Sequence, residues 1–324
     1  MSEEYQEYAR LIRAGSHAEA AALAEERARR AEGARERAFW LTRLSAALGR
    51  QQDYEGALKA ARGALELESD SSYAVYAAGE ALAGLSRHAE AVEHFDEAAR
   101  EGRLGERARC RALDSLQAQG RWEEILSRLG ALRLPEERSI GYRVKALVGL
   151  HRDEEAAAAC ARWLELKPHH PAALWELAEI EARRDGEEAA RDRWARKARI
   201  PSLPSTYREI YASLCRRTGR TEEAAQEYER MSASGGSRVQ RKHAFLLAKS
   251  GREREAVPLL EELLRSSPSD VYLHSSYAAA CRRIGEQERA INFYNTLLGV
   301  HPEQKGLYGR IARLRRDLES KGSE

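Results

Sequence analysis

Apolar and polar residues follow one another along this chain with a helical beat, and the beat carries its own punctuation. Near the C-terminus a glycine, a charged stretch and an amphipathic run end at Pro302, reading GEQERAINFYNTLLGVHP over 285–302. The same order returns as GREREAVPLLEELLRSSP at 251–268 and as HRDEEAAAACARWLELKP at 151–168. Apolar positions three and four apart predict a helix with one buried face. Acidic residues at its start suit the positive end of the helix dipole. Proline at its end cannot continue it.

The first small or apolar residue after each acidic start gives the register. These are Ala57, Ala91, Ile125, Ala156, Ala190, Ala224, Ala256 and Ala290, at intervals of 34, 34, 31, 34, 34, 32 and 34 residues. Ahead of each comes another amphipathic helix, closing near Gly120, Gly219, Gly251 or Gly285, where glycine fits the left-handed C′ position. The unit is a helical hairpin, repeated about nine times. Leu307, Ile311 and Leu314 share one face of a last, lone helix, the cap that an open-ended stack requires. Composition agrees: Ala, Arg, Glu and Leu dominate, only 8 Pro and 4 Phe occur, and no Val/Ile/Thr-rich alternation suggests a strand.

A hairpin repeat of this length resembles the tetratricopeptide family. Counting residue 271 as position 1, the chain carries Tyr277, Ala278, Cys281, Ala290, Tyr294, Leu297 and Pro302 at that family's pattern positions. From residue 72 it carries Gly79, Leu82, Ala91, Phe95 and Ala98; from residue 38, Leu41, Leu44, Ser45, Leu48, Ala57 and Ala64. Departures occur at Trp163, in a position usually small, at Ile125, and in the second helix of 171–204. The resemblance implies an all-α, right-handed superhelical solenoid over 1–324. It comprises a degenerate first repeat (1–37), three repeats (38–136), two irregular ones (137–204), three more (205–304) and a capping helix (305–324).

Charged residues make up 33% of the chain yet nearly cancel, to a formal +2, so no global field draws it to nucleic acid or membrane. The N-terminal MSEEYQEYAR has no apolar h-region. Cys110, Cys160, Cys215 and Cys281 are widely spaced without a CxxC, and a reduced, cytoplasmic protein is the expectation. Cys160, Cys215 and Cys281 fall at packing positions, and Cys110 points outward. No phosphate loop, dinucleotide fingerprint, zinc-protease helix or nucleophile elbow is present. His169 and His170, in KPHHP, read as a solvated turn rather than a metal site, since no Cys or further His lies near. No enzyme, metal or cofactor is expected.

If positions 4, 7, 8 and 11 of each first helix pack inward, positions 2, 5, 6, 9, 12 and 13 form the opposite face. In proteins of the family this face lines a concave groove that holds peptide segments. In the first half it carries Tyr73, Tyr76, Arg107, Arg111, Asp114, Arg138, Tyr142 and Lys145. Later it carries Trp175, Arg216, Arg217, Arg238, Arg241, Lys242, Phe245, Arg282 and Arg283. Arginine forks suit carboxylates and phosphates, and aromatic rings supply contact area. The expected function is a non-enzymatic scaffold or adaptor that binds an acidic or phosphorylated peptide there. Single-stranded nucleic acid is the alternative ligand. Self-assembly through an irregular surface marked by Trp163 and Trp194 is a third reading. The carboxylate clamp of some family members is incomplete here: Arg107 and Arg111 match its last pair, but its Asn positions hold Ala46 and Ala77.

Overall fold

A computed structural model describes residues 3–100, 104–132, 134–232 and 236–321. Every regular element among them is helical. They pack as two compact units, residues 1–168 and 169–324.

The first unit is five hairpins. They are α1 (Glu3–Ala14) with α2 (His17–Arg30), α3 (Ala34–Arg50) with α4 (Tyr54–Leu67), α5 (Ser72–Gly84) with α6 (His88–Ala98), α7 (Gly105–Ala118) with α8 (Trp122–Ala131), and α9 (Glu136–Gly149) with α10 (Asp153–Leu166). Each helix packs on the next, and α3 also packs on α5. The aligned residues Ala57, Ala91, Ile125 and Ala156 are all buried. The small size of the three alanines lets the two helices of a hairpin close on each other. Trp163, large where the family is small, is buried too, and Gly141 makes the room: a Cβ there would come within 3.1 Å of the indole.

The second unit is four hairpins and the cap. They are α11 (Pro171–Asp185) with α12 (Glu187–Ala198), α13 (Ser205–Arg217) with α14 (Thr221–Ser232), α15 (Ser237–Lys249) with α16 (Glu253–Ser266), α17 (Val271–Arg283) with α18 (Gln287–Val300), and then α19 (Gly306–Lys321). The last residues assigned to the cap, 322–324, lie outside the described ones. Leu307, Ile311 and Leu314 are buried as their shared face predicts. Trp194 is fully buried, and its indole N–H donates to Glu181 Oε2 at 2.8 Å. Trp163 and Trp194 are therefore core residues and mark no assembly surface, which corrects the third reading. Cys160, Cys215 and Cys281 are buried and Cys110 is half-buried.

Two local devices recur. The turn inside every hairpin holds a residue with positive φ: Gly15, Gln52, Ser86, Gly120 and His151 in the first unit, and Gly186, Gly219, Gly251 and Gly285 in the second. The second helices often open with an Arg tied to a Glu three residues on, as in Arg87–Glu90, Arg152–Glu155 and Arg252–Glu255, each with an Nε–Oε1 distance of 2.7 Å. These hydrogen bonds lower the carboxyl pKa of Glu90, Glu155 and Glu255, keeping negative charge at the helix start where the dipole favours it.

Candidate functional site

The first helices of the first four hairpins, α1, α3, α5 and α7, line an open groove of about 960 Å³ in the first unit. The register read from the sequence accounts for its walls. In the repeat beginning at 72, the groove positions are Tyr73, Tyr76, Ala77, Glu80, Ala83 and Gly84, and all of them line it. The next repeat adds Arg107, Arg111 and Asp114. Applying the same register to the repeat at 38 gives Thr42, Arg43, Ala46, Gly49 and Arg50, and these line it as well. Tyr5, Ala9, Ile12 and Arg13 complete it from α1. The contributions of α1 and α3 are not among the groove residues expected above, although the register counted from residue 38 places those of α3.

Its charges fall into two sets. Arg111 is already committed: Nε donates to Glu80 Oε1 at 2.5 Å, Nη2 to Glu80 Oε2 at 3.2 Å, and Nη1 to Asp114 Oδ2 at 3.1 Å. Tyr142, from α9, donates to the other oxygen of Asp114 at 2.8 Å. Burial and the Asp114 hydrogen bond push the Tyr142 pKa up, so the phenol stays a donor. Arg13, Arg43, Arg50 and Arg107 are different: none has a carboxylate partner among the described residues. Arg43 lies over the rings of Phe39 (3.9 Å) and Tyr5 (5.7 Å), and Arg107 over that of Tyr76 (5.1 Å). A guanidinium on an aromatic face keeps its outer N–H groups for another acceptor.

Two expectations change on this face. Tyr76 was expected on the free side but is 8% exposed, because its ring leans back onto Phe95 with centroids 5.5 Å apart. Tyr73 is the aromatic that reaches solvent, at 48%. Arg111, matched to a carboxylate clamp, has its fork filled by Glu80. Arg138 is exposed and pairs with Glu106, and Lys145 is exposed.

The corresponding face of the second unit holds the larger set of expected cations, and there the chain's own acids answer most of them. Arg238 and Lys242 both reach the buried Glu209, at 2.6 and 3.5 Å. Arg241 pairs with Asp270 at 2.6 Å, Arg282 with Asp317 at 2.6 Å, and Arg283 with Glu253 at 3.1 Å. Arg217 holds Glu179 and Glu187 together. Each pair joins one hairpin to a neighbour. Trp175 and Phe245 are half-buried, with Lys242 Nζ 5.8 Å from the Trp175 ring and Arg241 5.4 Å from the Phe245 ring.

No group of three or more His, Cys, Asp or Glu able to hold a metal occurs among the described residues. His169 Nδ1 lies 2.9 Å from the Tyr207 hydroxyl. None of the described helices is long and apolar enough to cross a membrane.

A stack of helical hairpins with a side-chain-lined groove defines a helical-repeat protein. Family profiles described as tetratricopeptide repeat match residues 42–106 and 147–305, and the chain belongs to that family. Among solved structures it is similar to the P58(IPK) TPR domain, at 15% identity over 99% of each chain with a TM-score of 0.32. It is also similar to a tetratricopeptide repeat protein from Parabacteroides merdae ATCC 43184, at 13% identity over 86% of this chain and 98% of that one, with a TM-score of 0.42. No curated protein matches the chain. Tetratricopeptide repeats generally mediate protein–protein interactions, and proteins built from them are generally non-enzymatic scaffolds.

Proposed function

We propose that this protein is a non-enzymatic interaction scaffold that holds an acidic or phosphorylated peptide segment of a partner in the groove of its first unit. One observation carries the reading. Arg13, Arg43, Arg50 and Arg107 line an open groove beside Tyr5 and Tyr73 with no carboxylate partner among the described residues, whereas most cations on the corresponding face of the second unit are answered internally. Unanswered guanidiniums at the wall of a cleft are matched by ligand carboxylate or phosphate, and the neighbouring rings offer contact area to the backbone that carries it.

The test is fluorescence anisotropy with a labelled Glu-rich peptide and its phosphoserine counterpart, at rising salt. Affinity should fall with ionic strength. The triple change Arg43→Gln, Arg50→Gln and Arg107→Gln should weaken binding at least tenfold, or about 1.4 kcal/mol, with helical content unchanged. Equal binding by the triple variant would remove the groove as the site. Tighter binding of a single-stranded oligonucleotide than of either peptide would replace the peptide with nucleic acid.

A further inference from the structure

The charges of the groove are not spread evenly, and their arrangement says more about the ligand than its net sign. Arg13 and Arg50 stand near the C-terminal ends of α1 and α3, both exposed. Arg107 stands near the N-terminal end of α7, also exposed. Between them lie Glu80 and Asp114, two carboxylates sharing the single guanidinium of Arg111. Arg43, over Phe39 and Tyr5, shares the register position of Arg111 and brings the central charges into balance, so positive ends flank a centre with no net charge. A uniformly acidic chain laid through it would meet attraction at both ends and no net attraction in the middle.

The separation of the ends follows from helix geometry. Arg50 and Arg107 are eleven register positions apart along the helix direction, about 16 Å at 1.5 Å per residue. They are also two hairpins apart, roughly 20 Å at about 10 Å per packed helix. The diagonal is about 25 Å, which an extended chain covers in about seven or eight residues.

We infer that the occupant of this groove is an extended segment with two acidic groups about seven or eight residues apart and a non-acidic stretch between them, one group at Arg13 and Arg50 and the other at Arg107. The inference rests on the acidic-ligand reading of the groove and adds to it a spacing and a charge pattern. The stretch between crosses Ala46 and Ala77, where the walls are small, and the exposed edge of Tyr73, so it has room for side chains of ordinary size.

A set of labelled peptides of equal length and equal charge tests this by anisotropy. Each carries two Glu–Glu pairs separated by zero, three, six or nine Ser/Ala residues. Affinity should peak at a spacer of about six and exceed that of the contiguous peptide about tenfold. Arg107→Gln should flatten the series to a single weak value. Equal affinity across the spacers, with all of them weakened by Arg50→Gln and Arg107→Gln, would overturn the two-anchor inference and leave the acidic-ligand reading standing. Failure of every peptide to bind would overturn both. The wild-type spacer series stands alone should either variant lose its fold.

Discussion

The two units are built from the same hairpin, in the same register, with a similar density of arginine on the first-helix face, yet they treat those arginines in opposite ways. In the second unit a carboxylate from an adjacent hairpin stands beside almost every cation, as Glu209 does for Arg238 and Lys242 and Asp270 for Arg241. In the first unit Glu80 serves Arg111 and Glu106 serves Arg138, while four arginines of the groove are left to aromatic rings or to solvent. Counting cations on a face therefore says little. What matters is whether the next repeat supplies an acid at the matching height, and that depends on residues about 30 positions away.

Glu209 is where the comparison breaks most readily. It is buried, at 6% exposure, and holds two cations at once. Glu209→Gln should destabilise the protein by about 1–2 kcal/mol, since Arg238 and Lys242 are exposed enough to regain water. The same change should free those two cations beside Trp175, so the second unit acquires weak affinity for acidic peptides that it otherwise lacks. Chemical denaturation measures the first effect. Anisotropy on a background of Arg43→Gln, Arg50→Gln and Arg107→Gln isolates the second. If no binding appears, internal neutralisation is not what separates the two faces.

The repeat register was legible because it is written in side-chain volume: small residues at Ala57, Ala91, Ala156 and Ala256 recur where hairpins close, and each is buried. The groove positions followed by rotation from that register: those of the repeat at 72 line the cavity, as do Arg107, Arg111 and Asp114 of the repeat at 106. The pairing state was not legible. Arg111 and Arg107 sit on one helix face four residues apart and look alike in sequence. Asp114, three residues on in the same helix, marks Arg111 locally, but the bidentate partner Glu80 lies 31 residues before it on a neighbouring first helix. Tyr76 lines the groove yet is largely buried, because its ring lies on Phe95. Trp163 looked like a defect until Gly141, on the partner helix of its hairpin, supplied the missing volume.

Acid sharpens the contrast from another side. The second unit buries two imidazoles, His243 and His274, and desolvation pushes both below the ordinary histidine pKa. His274 Nε2 lies 2.8 Å from the Pro268 carbonyl and so carries the proton, while its buried Nδ1 has no partner to receive a second one. With folded values below an unfolded value of about 6.5, the unfolded chain binds more protons in that window. Stability is full above the window and falls as pH drops through it. Thermal melts at pH 7.5 and 5.5 should show this loss, and His243→Gln with His274→Gln should reduce it. An undiminished loss in the double variant would place the sensitivity in the carboxylates instead.

The smallest expected effect lies in the hairpin turns, where the units again differ. All four turns of the second unit put glycine at the positive-φ position, but the first unit puts Gln52, Ser86 and His151 there, at φ of 66°, 60° and 57°. A side chain in the left-handed region crowds its own backbone, so Ser86→Gly should stabilise by about 0.5–1 kcal/mol, net of the freedom glycine adds to the unfolded chain. Gly251→Ala should cost a similar amount. Ser86 lies in the turn between Gly84 and His88, both of which line the groove, and this makes the pair of variants informative beyond stability. If Ser86→Gly stabilises without touching peptide affinity, the strained turn is an unoptimised remnant of the repeat. If it stabilises and weakens binding together, the strain belongs to the groove, because only a turn that holds the wall in place can exchange one for the other.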